Sequence, residues 1–167
     1  MATTSITIPA DGRESVDLGG MGVIWKIAGA ETAGRFSVVH HPLAPRALAA
    51  PLHRHSREDE YSYVLEGTLG ALLGDEVVSA GPGSWVYKPR DQWHTFWNDG
   101  NTPCEIIEII SPAGFEEFFR ELADLFGAGA EPELARMGAL CERYGIEMDP
   151  QSARGLCERF GLSHPLA

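Results

Sequence analysis

Lysine is almost absent from this chain: Lys26 and Lys88 are the only two among 13 basic side chains, against 24 acidic ones. The formal net charge is −11. Long-range repulsion of that sign works against binding nucleic acid or an anionic membrane surface. Cysteine is scarce and odd in number, and Cys104, Cys141 and Cys157 show no metal-type spacing. A disulfide framework is thereby disfavoured, and reduced thiols in a cytoplasmic protein are expected. No apolar run approaches the roughly 20 residues that span a bilayer. Residues 1–9 have neither the basic stretch nor the apolar stretch that opens a secretory signal. The partner these absences leave is a small, neutral or mildly polar molecule, with no nucleic acid and no membrane.

What is present is a change of period along the chain. From residue 5 to residue 110, short β-branched and aromatic runs alternate with Gly, Pro and Asp turns. The expected strands are 6–8, 22–28, 35–42, 51–55, 60–66, 68–73, 76–79, 84–88, 93–98 and 105–110. So many short strands at this spacing predict an all-β core, a barrel or a sandwich. After residue 110 the spacing turns helical. Ser111-Pro112 reads as an N-cap followed by proline at the first helical position. Phe115, Phe118, Phe119, Leu122, Leu125 and Phe126 then recur on one face, and Gly127 is a natural stop. A link over 127–132 leads to a second helix bearing Leu134, Met137, Leu140, Cys141 and Tyr144. Asp149-Pro150 is expected to open a third, with Ala153, Leu156, Cys157 and Phe160. Residues 140–146 (LCERYGI) recur as 156–162 (LCERFGL), which predicts two short helices that pack alike. The expected organisation is a β-domain over 1–111 and a C-terminal α-helical extension over 112–167. That extension would pack on the barrel or on the partner of a homodimer. It lacks the basic face of a helix-turn-helix DNA reader.

The residues that carry chemistry lie in the β part. His53 and His55 are two apart in a strand-like stretch, and period two puts both imidazoles on one face. Their Cα atoms are then about 6.5 Å apart, within reach of one shared ion at bonds of about 2.0–2.1 Å. Glu60 opens the next strand after a four-residue turn, and His94 starts another after Pro89-Arg90-Asp91-Gln92.

Taken as an ordered set, these residues resemble the cupin superfamily. His53-x-His55, four residues, Glu60, six residues, Gly67 is similar to the first cupin motif from its histidines onward. Gly83, five residues, Pro89, four residues, His94, three residues, Asn98 is similar to the second. The resemblance runs over roughly residues 34–112. Ala47 and Asp91 stand where the motifs usually carry glycine, which bears on turn geometry. The resemblance implies a single cupin domain, a double-stranded β-helix or jelly-roll barrel. It also implies His53, His55, Glu60 and His94 as ligands of one divalent transition metal (Fe, Mn, Ni, Co, Cu or Zn). In the quercetin dioxygenase-like members the matching glutamate is also thought to take the substrate's hydroxyl proton, which makes Glu60 the catalytic candidate. Three imidazoles and one carboxylate leave open positions on a six-coordinate ion, where a bound hydroxyl or water becomes more acidic. The ligand set does not select among first-row metals.

The expected function is thus a metal-dependent oxidoreductase, a quercetinase-like dioxygenase of an enolisable aromatic or polyketide-type molecule. The alternatives are an oxygen-independent isomerase, lyase or polyketide cyclase, and a non-catalytic cupin that binds a small ligand. Ser62 and Val64 share the face of Glu60, and Phe96 and Asn98 that of His94. Asn98 reads first as a turn residue. Trp25, Phe36, Tyr61, Tyr63, Trp85, Tyr87, Trp93 and Trp97 are expected to fill the barrel and a dimer interface, or to stack on a planar substrate. Of the adjacent His40 and His41, one faces inward. Glu108 alternates with Ile106 and Ile110, and its default is a solvated strand edge. Buried near a metal, it would be a base candidate.

Overall fold

The computed structural model describes residues 7–10, 14–127 and 134–167. Residue 6 of the first expected strand and most of the link at 127–132 lie outside these. So do the side chains of Phe126 and Leu134, both expected on apolar helix faces. Residues 7–8 form no strand.

Among the described residues eleven strands and three α-helices follow in chain order, with one 3-10 turn at Gly29–Thr32. The strands are β1 (Ser15–Asp17), β2 (Gly22–Ile27), β3 (Ser37–Leu43), β4 (Leu52–His55), β5 (Asp59–Glu66) and β6 (Leu69–Leu73), then β7 (Glu76–Ala80), β8 (Trp85–Lys88), β9 (His94–Asn98), β10 (Cys104–Ser111) and β11 (Ile146–Asp149). The helices are α1 (Glu116–Gly127), α2 (Leu134–Tyr144) and α3 (Ser152–Phe160). One sheet has six strands in the order β1-β2-β3-β10-β5-β8, and the other has five in the order β11-β4-β9-β6-β7. Every pairing between these strands is antiparallel. Val23, Val39, Val64 and Ile106 of the first sheet and Leu69, Ala71 and Phe96 of the second meet in one core. The alternation behind this is legible in β5, where Glu60, Ser62 and Val64 are buried and Tyr61 and Tyr63 are not.

Two close approaches need glycine. Gly67 turns β5 into β6 at φ 78, where an added Cβ would stand 2.7 Å from the Pro103 carbonyl oxygen. At Gly70 an added Cβ would stand 2.3 Å from the indole of Trp97, its partner in β9. Asp91, which replaces a motif glycine, adopts φ 63, a conformation aspartate tolerates better than most residues.

The C-terminal segment departs from the expectation in three places. Ser111 ends β10 and its hydroxyl donates to the Arg35 carbonyl at 2.9 Å, so it caps no helix. Helix α1 instead begins at Glu116, whose carboxylate accepts from the backbone amides of Gly114 (2.6 Å) and Gly29 (2.8 Å). The Trp25 indole N–H donates to the Glu116 carbonyl at 3.0 Å, and together these bonds fix the start of α1 to β2. Asp149 lies in β11, and α3 starts at Ser152, so Asp149-Pro150 opens no helix. The strands β1 and β11 are both additions to the expected set.

The echoed heptads do form similar helix ends, each closed by a left-handed glycine, Gly145 (φ 70) and Gly161 (φ 64). Their docking sites differ. Leu140 and Cys141 join the main core, whereas Leu156 and Cys157 pack with Leu48, Leu72 and Trp97 in a second cluster. Phe160 stacks on Trp97 with centroids 4.5 Å apart. Arg46 donates to the Phe160 and Gly161 carbonyls at the end of α3 and to the Asp99 carbonyl at 2.6 Å. All three cysteines are free and buried. Among the described residues no helix is long and apolar enough to cross a membrane.

Candidate metal centre and its cavity

Strand period places His53 and His55 on the inner face of β4, and β4 pairs with β9 at His53 opposite His94. The three imidazoles converge. Their ring centroids are 4.5–5.5 Å apart, and one nitrogen of each lies within 4.8 Å of the others. Modest side-chain rotation would close that set onto one ion at about 2.0–2.1 Å per bond. His53 Nδ1 is 2.8 Å from the Pro51 carbonyl and His94 Nδ1 is 3.0 Å from that of Gln92. An Nδ1–H donated to each carbonyl leaves both Nε2 lone pairs for a ligand. Glu60, on the first sheet, reaches the same cluster, with Oε1 3.6 Å from His55 Nε2 and Oε2 3.4 Å from His94 Nε2.

The donor set is of a kind that could hold a metal ion. Of the six buried side-chain polar atoms without a hydrogen-bond partner among the described residues, five are here: both nitrogens of His55, His94 Nε2, Glu58 Oε2 and Glu60 Oε2, the last of which is held instead by the Lys88 ammonium at 3.1 Å. Orphaned buried donors and acceptors are costly, and their concentration at one point fits residues arranged for an ion. Burial pushes the His53 imidazole well below its usual range and lowers that of His94, which keeps both neutral, as ligation requires.

The tail shapes this site. Strand β11 pairs with β4 along its whole length, with Ile146 opposite His55 and Met148 opposite His53. Phe115, just before α1, and Phe118 and Phe119 of α1 lie over the barrel mouth, and Phe115 packs edge-on against His55 at 4.5 Å. The cavity beneath is lined by these phenylalanines, Met137, Ile146 and Met148 on one side. His41, His53, Glu60, Phe96 and Glu108 line it from the barrel, and His164 from the C-terminus. Among the described residues no lysine or arginine lines it.

Lys88 stands behind that wall, and no sequence expectation included it. Its ammonium is wholly buried, 2.9 Å from Glu108 Oε2 and 3.1 Å from Glu60 Oε2. The signal for it was the phase of β8: Val86 and Lys88 point inward because Trp85 and Tyr87 point out. Trp85 and Tyr87 are 57% and 49% exposed, so they neither fill the barrel nor line the cavity. Glu108 is the second correction. It is buried, not solvated at an edge, because β10 lies between β3 and β5 in the middle of its sheet. Its carboxylate accepts from Ser62 Oγ at 3.1 and 3.0 Å and from Lys88. Burial opposes ionisation of Glu60, but Lys88, His55 and His94 hold it ionised, well below the usual range. Burial raises Glu108 to about 7 against the pull of Lys88. Burial likewise opposes the Lys88 charge, which the two carboxylates more than restore. The difference between the acids has a simple cause: two carboxylates share one ammonium, and the second is harder to ionise.

His41 is the inward member of its pair. Its Nδ1 is 2.9 Å from the Gly22 carbonyl, and burial lowers its pKa to about 4, so it meets the cavity as a neutral imidazole. His40 instead pairs with Glu105 at 3.1 Å. Asn98 keeps its turn role: its amide donates to the carbonyls of Leu43, Ala44 and Thr102, and its oxygen accepts from the Gly100 amide.

Comparison with known proteins agrees with this architecture. Residues 39–110 match the cupin domain family. The alginate biosynthesis protein AlgA of Pseudomonas aeruginosa is 32% identical over 106 residues, which are 62% of this chain and 22% of that protein. The tetracenomycin polyketide synthase protein TcmJ of Streptomyces glaucescens is 33% identical over 73 residues, 44% of this chain and 48% of the relative. The chain therefore spans less than half the length of either. Among solved structures, KdgF from a Halomonas species superposes with a TM-score of 0.60 at 18% identity, over 68% of this chain and 99% of that one. Residues 39–110 thus resemble the cupin domain family, and the protein has the cupin fold of two antiparallel sheets with a few C-terminal helices.

Proposed function

We propose that this protein is a metal-dependent cupin enzyme acting on a neutral, enolisable ring compound, with His53, His55, Glu60 and His94 as the metal ligands. The observation that carries this reading is the set of orphaned buried nitrogens and oxygens at the edge of an apolar cavity. A divalent ion there would supply Lewis acidity toward a chelated substrate oxygen and, in the dioxygenase form of the reading, a place for O2. The chain's own residues do the rest. The phenylalanines of α1 exclude water and present flat apolar surface to a ring. A lining without lysine or arginine among the described residues disfavours a phosphorylated or carboxylated substrate, and His41 offers a neutral acceptor to a hydroxyl. A quercetinase-like dioxygenase is the first form of this reading. An oxygen-independent isomerase, lyase or cyclase is the second, favoured by the similarity to a polyketide synthase protein and by the second buried carboxylate in the cavity wall.

Oxygen consumption separates them. The Fe-, Mn- or Ni-loaded protein mixed with a flavonol is expected to shift the flavonol spectrum anaerobically and to take up O2 when air is admitted. Turnover by the Zn form without O2 would move the assignment to the second form. No spectral shift with any of these metals would end both.

A homodimer is part of the proposal. The outer face of β5 and of the edge strand β8 presents Trp85, Tyr87 and Leu65, the last 44% exposed, with Tyr61 stacked on Tyr87 at 4.9 Å. Apolar surface of this kind marks interaction sites. Sedimentation is expected to give a dimer for the unaltered protein and a monomer for Trp85→Ser/Tyr87→Ser. A monomer at every concentration of the unaltered protein would rule the dimer out.

A further inference from the structure

Outside the metal set the cavity wall holds His41, His164 and Glu108, and of these Glu108 is the one carboxylate. Glu108 sits mid-strand in β10, opposite Val39 of β3 and Ser62 of β5, and is 1% exposed. Lys88 and Ser62 fix its carboxylate from behind, while the residue itself lines the cavity. A structural ion pair needs one acid for one base. Here the Lys88 ammonium faces two, and both carboxylates border the cavity while the lysine does not. Glu60, against His55 and His94, belongs with the imidazoles. Glu108 touches none of them in any contact among the described residues.

We propose that Glu108 is the acid–base residue of this cavity, with Lys88 and Ser62 as its positioning residues. The inference rests on the functional reading above and moves to Glu108 the proton-accepting role that resemblance gives to Glu60. A Glu108 oxygen forms an O–H bond with a proton from the substrate's hydroxyl or α-carbon, and the bonding pair stays on the substrate as its enolate. On return, the proton rebonds to substrate carbon or oxygen and the carboxylate is regenerated. No oxidant or reductant enters this step. The raised position of Glu108, about 7, leaves both of its protonation states accessible near neutral pH, where such a group works best. The charged groups that act on it are Lys88 from β8 and Glu60 from β5; His41 from β3, His53 from β4 and His164 border the same cavity, to which α1 presents the apolar Phe118, Phe119 and Leu122.

Two measurements on the full chain test this. Isotope-edited infrared spectroscopy of the metal-free protein needs no turnover. It is expected to show a protonated carboxyl band that titrates near neutral pH and is missing in Glu108→Gln. A carboxylate that stays ionised across the neutral range would be a fixed ion pair, and would overturn the proposal. The second probe is a flavonol bound anaerobically to the Zn-loaded protein, where the red-shifted absorption reports the anion. Glu108→Gln is expected to bind the flavonol but to cut the anionic fraction about tenfold or more. Glu108→Asp, which keeps the charge on a shorter arm, should retain a carboxyl band and lose the shift, and it serves if the amide variant does not fold. An undiminished anion signal in both variants would overturn the proposal. If the unaltered protein binds metal but no flavonol, the substrate class above fails and the infrared titration alone decides Glu108.

Discussion

Replacing Lys88 with methionine is expected to lower the thermal midpoint of the metal-free protein by about 10 °C at pH 8. The ammonium is wholly buried between Glu60 and Glu108, and methionine fills the same volume without the charge. Removing one partner of a buried ion pair costs about 3–5 kcal/mol, because the charge left behind has no compensation. In a domain of this size each kcal/mol moves the midpoint by about 2–4 °C. The deficit should depend on pH with a definite sign. Without the ammonium, both carboxyls in the folded state would titrate above their unfolded values. The folded chain then holds more protons between those values, so stability falls as pH rises through that window. The loss is therefore expected to be small near pH 4.5 and full at pH 8. The double variant Lys88→Met/Glu108→Gln removes one of the two stranded charges and should recover part of the loss. Differential scanning calorimetry at the two pH values checks this, and a pH-independent shift under about 2 °C would refute it.

Replacing His94 with alanine is expected to weaken metal binding at least about 100-fold while the fold persists. Outer contacts to a ligand alone commonly tune affinity by about 10–100-fold, and loss of the ligand itself should exceed that. The Gln92 carbonyl orients His94 from Nδ1, so its Nε2 is presented to the cluster. His41→Ala provides the control. His41 borders the same cavity and is equally buried, but its Nδ1 is engaged by Gly22 and it lies outside the cluster. Metal content after dialysis and competition with a chelator are expected to separate the two variants. Full metal occupancy in His94→Ala would remove it from the ligand set.

Much of the β architecture was legible because its cause is local. Nine of the expected strands coincide with β2 to β10 to within two residues at either end. Alternation, turn residues and β-branched content act within a few positions of one another. The histidine cluster was legible for the same reason: period two orients His53 and His55, and the motif spacing brought in Glu60 and His94. Strand β11 was not legible. Ile-Glu-Met-Asp carries a single β-branched residue, and it becomes a strand because β4 offers it a free edge. The N-terminus of α1 was misread for a related reason. Its first residue, Glu116, is held by the Gly114 and Gly29 amides at its carboxylate and by Trp25, 91 residues away, at its carbonyl.

The sequence by itself determined strands β2 to β10, the presence of helices after residue 110 and the imidazole set, since each depends on neighbours a few residues apart. Only the tertiary structure decided which faces turned inward and what met there. Glu108 is buried because β10 falls in the middle of its sheet, and Lys88 becomes the bridge between two acids because β5 lies between β8 and β10. The tail became the roof of the cavity because one free strand edge and the apolar mouth of the barrel both needed covering. Burial and pairing at those points arise from contacts between residues far apart in the chain, which no local spacing encodes.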